Sequence, residues 1–150
     1  MSQVLEPRTV PAAVPVRSYP ATTGPAHQAY MLLSICFTAL PIVAGLDKFF
    51  HVIADWDMYL APKVTQMIPV TAHNLMLAAG VVEIIAGLIV AFKPQVGAWI
   101  VTLWLWAICV NLFLIPGFYD IALRDFALSL GALALARLAA CPKATMSGST

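Results

Sequence analysis

Four stretches of this chain, residues 28–54, 68–92, 95–115 and 118–140, run for about 20 residues or more with few charges. An α-helix of that length spans the ~30 Å hydrocarbon core of a bilayer. The punctuation between the stretches is that of helices. Lys93-Pro94 stops the second, and Pro116-Gly117 makes a tight turn after the third. A three- or five-helix reading leaves a spanning-length run unused or cuts one in half. The pattern therefore predicts an all-α, polytopic membrane protein: one four-helix transmembrane bundle over residues 30–140.

Composition removes the soluble alternative. Only 10% of the 150 residues are charged, and 61% are hydrophobic. An ordinary soluble domain has about 25% charged residues to wet its surface. With a net charge of +1 there is no basic field to recruit nucleic acid. Cys36, Cys109 and Cys141 form no C-x-x-C pair, so they read as small packing residues rather than a disulfide framework or a zinc site.

Residues 1–29 differ from the rest. Pro7, Pro11, Pro15, Pro20 and Pro25 interrupt any helix, and no apolar core of a signal peptide follows the start. The expectation is a disordered Pro-rich N-terminal tail, with a short flexible C-terminal tail at 141–150. Short loops make neighbouring helices antiparallel, so both termini share one side. That side carries Arg8, Arg17, Lys93, Arg137 and Lys143, and the other carries Lys48, Lys63 and Arg124. The positive-inside rule then places both termini in the cytoplasm, and the expected location is the cell (inner) membrane. The acidic outer loop from Asp55 to Pro62 reads either as an interfacial segment, with Trp56 and Tyr59 at headgroup depth, or as a plain connection.

Charged groups inside a bilayer are costly and so point inward to partners. Glu83, deep in the second segment, is the clearest case. Met76, Ala79, Gly80, Glu83, Gly87 and Val90 fall on one helical stripe of mostly small residues, suited to close packing. Burial leaves Glu83 either protonated or paired with a cation. Asp47 and His51 are four apart and share a face, as are Asp120 and Arg124, whose stripe continues through Ala127 and Gly131. Lys48 reaches toward Glu83 or toward headgroups, and Asn111 shares a stripe with Ala107 and Trp104. Together Asp47, Lys48, His51, Asn111, Asp120 and Arg124 would line an outward polar pocket with Glu83 at its floor, or else form an interhelical network without a cavity. His51 and His73 lack a motif spacing such as H-E-x-x-H, so no metal site is expected.

Three stretches resemble the DoxX/DoxD-like family of small four-helix membrane proteins. They are Gly45-Leu46-Asp47-Lys48-Phe49, Val82-Glu83-Ile84-Ile85-Ala86-Gly87-Leu88, and Tyr119 through Ala127. The likeness rests on their order and spacing across residues 30–140. It implies an accessory or quinone-facing subunit of a membrane redox complex, with quinone as the cofactor and redox proteins as partners. The residues themselves carry no catalytic motif, no haem-ligand pair and no dinucleotide fingerprint. Two other functions stay open: a structural or assembly protein of the bilayer, and a small-solute or proton carrier working as a homo-oligomer.

Overall fold

The computed structural model describes residues 24–140, and every regular element among them is helical. Helix α1 spans Pro25–Phe50, a single 3-10 turn covers Trp56–Tyr59, and α2 is the short Pro62–Met67. Three long helices follow: α3 (Ala72–Phe92), α4 (Pro94–Phe113) and α5 (Tyr119–Ala140). Helices α1, α3 and α4 are each long and apolar enough to cross a membrane. Helix α5 is as long, but Asp120, Arg124, Asp125 and Arg137 give it more charge. The segments 1–23 and 141–150, where the tails are expected, lie outside the described residues.

Each boundary has a local cause. Pro25 does not break a helix but opens one. It sits in the first turn of α1, where its missing N–H costs nothing, and Gly24 O accepts from the N–H groups of His27 and Gln28. The tail therefore stops short of residue 29. At the other end α1 stops at Phe50 rather than running to residue 54. The Asp47 carboxylate accepts from the backbone N–H groups of Val52, Ile53 and Ala54 at 2.9–3.3 Å, drawing them out of a continuing helix. Residues 68–70 stay outside α3 because Pro69 disfavours helical backbone before it, and Thr71 caps the helix by accepting from Asn74 N–H at 3.3 Å. Lys93 alone separates α3 from α4, with Pro94 in the first turn of the new helix.

Packing is pairwise. Helix α1 lies against α3 and α4 against α5, while α3–α4 and α1–α5 contacts join the pairs. The α1–α3 crossing uses the small-residue stripe. A methyl on Gly45 would stand 2.6 Å from Gly80 O, and one on Gly87 would stand 2.8 Å from Thr38 O. The apolar core, built on Phe37, Ala86, Val90, Val101, Ala132 and Leu135, fills the half opposite the 51–71 connection. Outward, Leu32, Ile35, Ile85, Leu103, Val110 and Leu130 are exposed, and no more than 33% of the most apolar window of α1, α3 or α4 is buried. A surface of that kind is suited to hydrocarbon rather than water.

Candidate functional site

In the half nearest the 51–71 connection the four long helices line a cavity of about 580 Å³. Phe37 forms its base, where it meets Gly131 of α5. Pro41 and Ala44 of α1, Met76 and Ala79 of α3, Leu105 and Ile108 of α4, and Ile121 and Leu128 of α5 make apolar walls. The connection after α1 covers the remaining side, through Ile53, Trp56, Tyr59 and Leu60.

The polar end of the cavity is built from a buried ion pair. Lys48 Nζ donates to Glu83 Oε2 at 2.6 Å, with 4% and 8% of the two side chains exposed. Helix geometry makes the meeting possible. Helical side chains lean toward their own N-terminus. In the antiparallel pair α1 and α3, Lys48 therefore leans inward and Glu83 leans toward the loops. Register on the Gly45–Gly80 contact puts the two residues about 9 Å apart along the axis. Opposed leaning closes that gap. Glu83 Oε1 accepts from Trp104 Nε1 at 3.2 Å, so both carboxylate oxygens are satisfied. The ring of Trp56 lies over Lys48 Nζ at 3.8 Å, a cation–π contact, and its Nε1 donates to Asp47 Oδ2 at 2.7 Å.

Two buried or half-buried side chains hold the covering segment. Asp47 gathers residues 52–56 as described. Asn111 of α4 accepts from Ala61 N–H at 2.9 Å and donates to Tyr59 O at 2.6 Å. Tyr59 then meets Phe118 edge-on at 5.3 Å. Trp56 and Tyr59 thus turn onto the cavity, with the Trp56 indole N–H given to Asp47 instead of a lipid headgroup.

Of the residues singled out from sequence, Lys48, Glu83, Asn111 and Arg124 lie on the cavity wall, whereas Asp47, His51 and Asp120 do not. Asp47 acts on the covering segment behind the wall, not on His51. Asp120 is exposed, and Arg124 approaches Asp125 at 3.9 Å instead. The α5 stripe that faces the cavity is Ile121, Arg124, Asp125 and Leu128, not the one through Asp120 and Ala127. Helix α5 is turned by the burial of Ala122, Ser129, Ala132 and Ala136. Glu83 is not the floor, since the cavity continues past it to Phe37. Trp56, Trp104 and Asp125 were not among the candidate pocket residues, although the stripe shared by Trp104, Ala107 and Asn111 already set Trp104 on the same helical face as Asn111.

His51 and His73, distant in the chain, stack with ring centroids 5.5 Å apart beside Asp57. This cluster stands at the loop end and outside the cavity wall.

Comparison with protein-family models, curated proteins and solved structures finds no match for this chain.

Proposed function

We propose that the chain is a four-span protein of the inner membrane, DoxX-like in kind, that holds a quinone-type lipid for a membrane redox complex as an accessory subunit. The observation that carries this reading is the cavity itself. Its volume of about 580 Å³ falls in the range of small-molecule sites, roughly 300–1,000 Å³. Its walls are apolar along most of their length and polar at one end, which matches a long lipophilic molecule with a carbonyl-bearing head. Lys48 has ammonium protons beyond the one given to Glu83, and these would donate to a quinone carbonyl. The redox chemistry then belongs to the partner proteins, and this chain positions the head group.

Purification in mild detergent with lipid extraction tests the proposal. Ubiquinone or menaquinone should co-purify near one per chain, and a soluble quinone analogue should quench the fluorescence of Trp56 and Trp104. Ala107→Phe, which fills the wall, should abolish both effects while leaving the melting temperature near that of the parent. Absence of quinone together with unquenched fluorescence sinks the reading.

A second reading is supported by the satisfied state of Glu83. With Lys48 and Trp104 on its two oxygens, the carboxylate is suited to fixing helix register in an assembly protein. That reading expects no quinone in the extract.

The orientation is part of the proposal. Lys93 and Arg137 stand at the end opposite the 51–71 connection, as the positive-inside rule would have it for cytoplasmic termini. In a cysteine-free background on intact cells or spheroplasts, Asp55→Cys should react with a membrane-impermeant maleimide and Lys93→Cys should not. The reverse pattern would invert the topology.

A further inference from the structure

We propose that His51, Asp57 and His73 form a binding site for a divalent transition-metal ion of the zinc type, at the loop end and independent of the quinone reading. Three separate elements supply the donors: the C-terminal cap of α1, the 3-10 turn and the first turn of α3. One ligand atom from each lies within 4.8 Å of the other two. The Asp57 Oδ2 to His73 Nδ1 separation is already 3.2 Å. Donors about 2.0–2.2 Å from a tetrahedral ion stand roughly 3.5 Å from one another, so closure needs only a small rotation of His51.

Two further observations point to an ion. The other carboxylate oxygen, Asp57 Oδ1, is buried without a hydrogen-bond partner among the described residues. A buried carboxylate oxygen left bare is costly, and a bound cation would relieve the cost. Neither imidazole is packed away from solvent as a core histidine would be, so the stacked rings, 22° apart, are free to turn an in-plane nitrogen toward an ion. The αL cap at His51, φ 53°, sets where its imidazole starts; Gly or Asn commonly takes such a position.

The donor set decides the metal class. Two imidazole nitrogens and one carboxylate oxygen suit Zn²⁺, Co²⁺, Ni²⁺ or Cu²⁺, whereas Ca²⁺ and Mg²⁺ favour oxygen-only sites. Three protein ligands leave a fourth position for water or an exogenous ligand. Because Asp57 lies between Trp56 and Tyr59, an ion here ties the segment over the cavity to the ends of α1 and α3.

The test uses the full chain without a histidine tag. Zn²⁺ titrated in competition with a chromophoric chelator should load one ion per chain and raise the melting temperature. Co²⁺ should give the intense visible absorption of a low-coordinate N/O site. His51→Asn keeps a residue that accepts the left-handed cap, and His73→Gln changes a side chain that is 52% exposed. Each should weaken Zn²⁺ by at least about tenfold, the lower end of what losing even a supporting partner costs, with the metal-free melt unchanged. His27→Ala, at the far end of α1, should bind as the parent does. The proposal fails if the parent takes up no Zn²⁺ or Co²⁺, or if binding survives the double variant His51→Asn/His73→Gln.

Discussion

Glu83→Gln is expected to lower the stability of the protein by about 3–5 kcal/mol, the cost of leaving one partner of a buried ion pair alone. Gln retains the shape, but its one oxygen can replace only one of the two acceptors that meet Trp104 Nε1 and Lys48 Nζ, and its NH2 would face the other donor. It also removes the negative charge. Lys48, 4% exposed, is then left with an uncompensated charge in an apolar surround, which destabilises the fold. The double variant Lys48→Met/Glu83→Gln should recover much of the loss, since replacing both members of a buried pair is often nearly neutral. Thermal melts of the three variants in one detergent close the cycle. A protonated Glu83 acting only as a hydrogen-bond donor predicts the opposite result. Gln would then substitute with little change. An unchanged Glu83→Gln melt therefore removes the ion pair from the account of this site.

Gly87→Leu is the second substitution with a large expected effect. Even a methyl at Gly87 would stand 2.7 Å from Ile42 Cγ1 and 2.8 Å from Thr38 O. The side chain could yield, but the carbonyl belongs to the backbone of α1. A leucine must push α1 and α3 apart, and overpacking of this sort costs about 1–3 kcal/mol or more. The separation would also stretch the Lys48–Glu83 contact, which bridges the same two helices. Gly117→Leu is the control. Its Cβ would meet nothing within 4 Å, and its φ of 96° confines the penalty to local backbone strain. A harmless Gly87→Leu in detergent melts would mean that α1 and α3 do not cross closely there.

Much of the secondary structure was legible in the chain because its causes are local. Lys93-Pro94 separates α3 from α4, and Pro116-Gly117 turns the chain between α4, which already stops at Phe113, and α5. The small-residue stripe through Gly80 and Gly87 marked the face that α1 packs against. The errors at the helix ends came from side chains acting on backbone at short range. Asp47 ended α1 early by taking three backbone N–H groups, and Pro25 served as a helix opener where a run of prolines suggested only interruption. Neither role follows from hydropathy, which does not distinguish a carboxylate facing solvent from one facing its own chain.

The apolar runs and their spacing determined, without any coordinates, that this chain folds as long helices with lipid-compatible surfaces, because transfer free energy depends on residue type and length. Tertiary structure decided the partners. Whether Lys48 meets Glu83 or a headgroup depends on the rotation of α1 about its axis and on its register against α3, set by the Gly45–Gly80 contact. Whether α5 offers Asp120 or Asp125 to the cavity depends on a rotation fixed by its buried alanines. The meeting of His51, Asp57 and His73 depends on the course of the chain through the covering segment, pinned by Asp47 and Asn111. Rotation, register and loop course arise from contacts between residues far apart in sequence, and no local pattern of residue types encodes them.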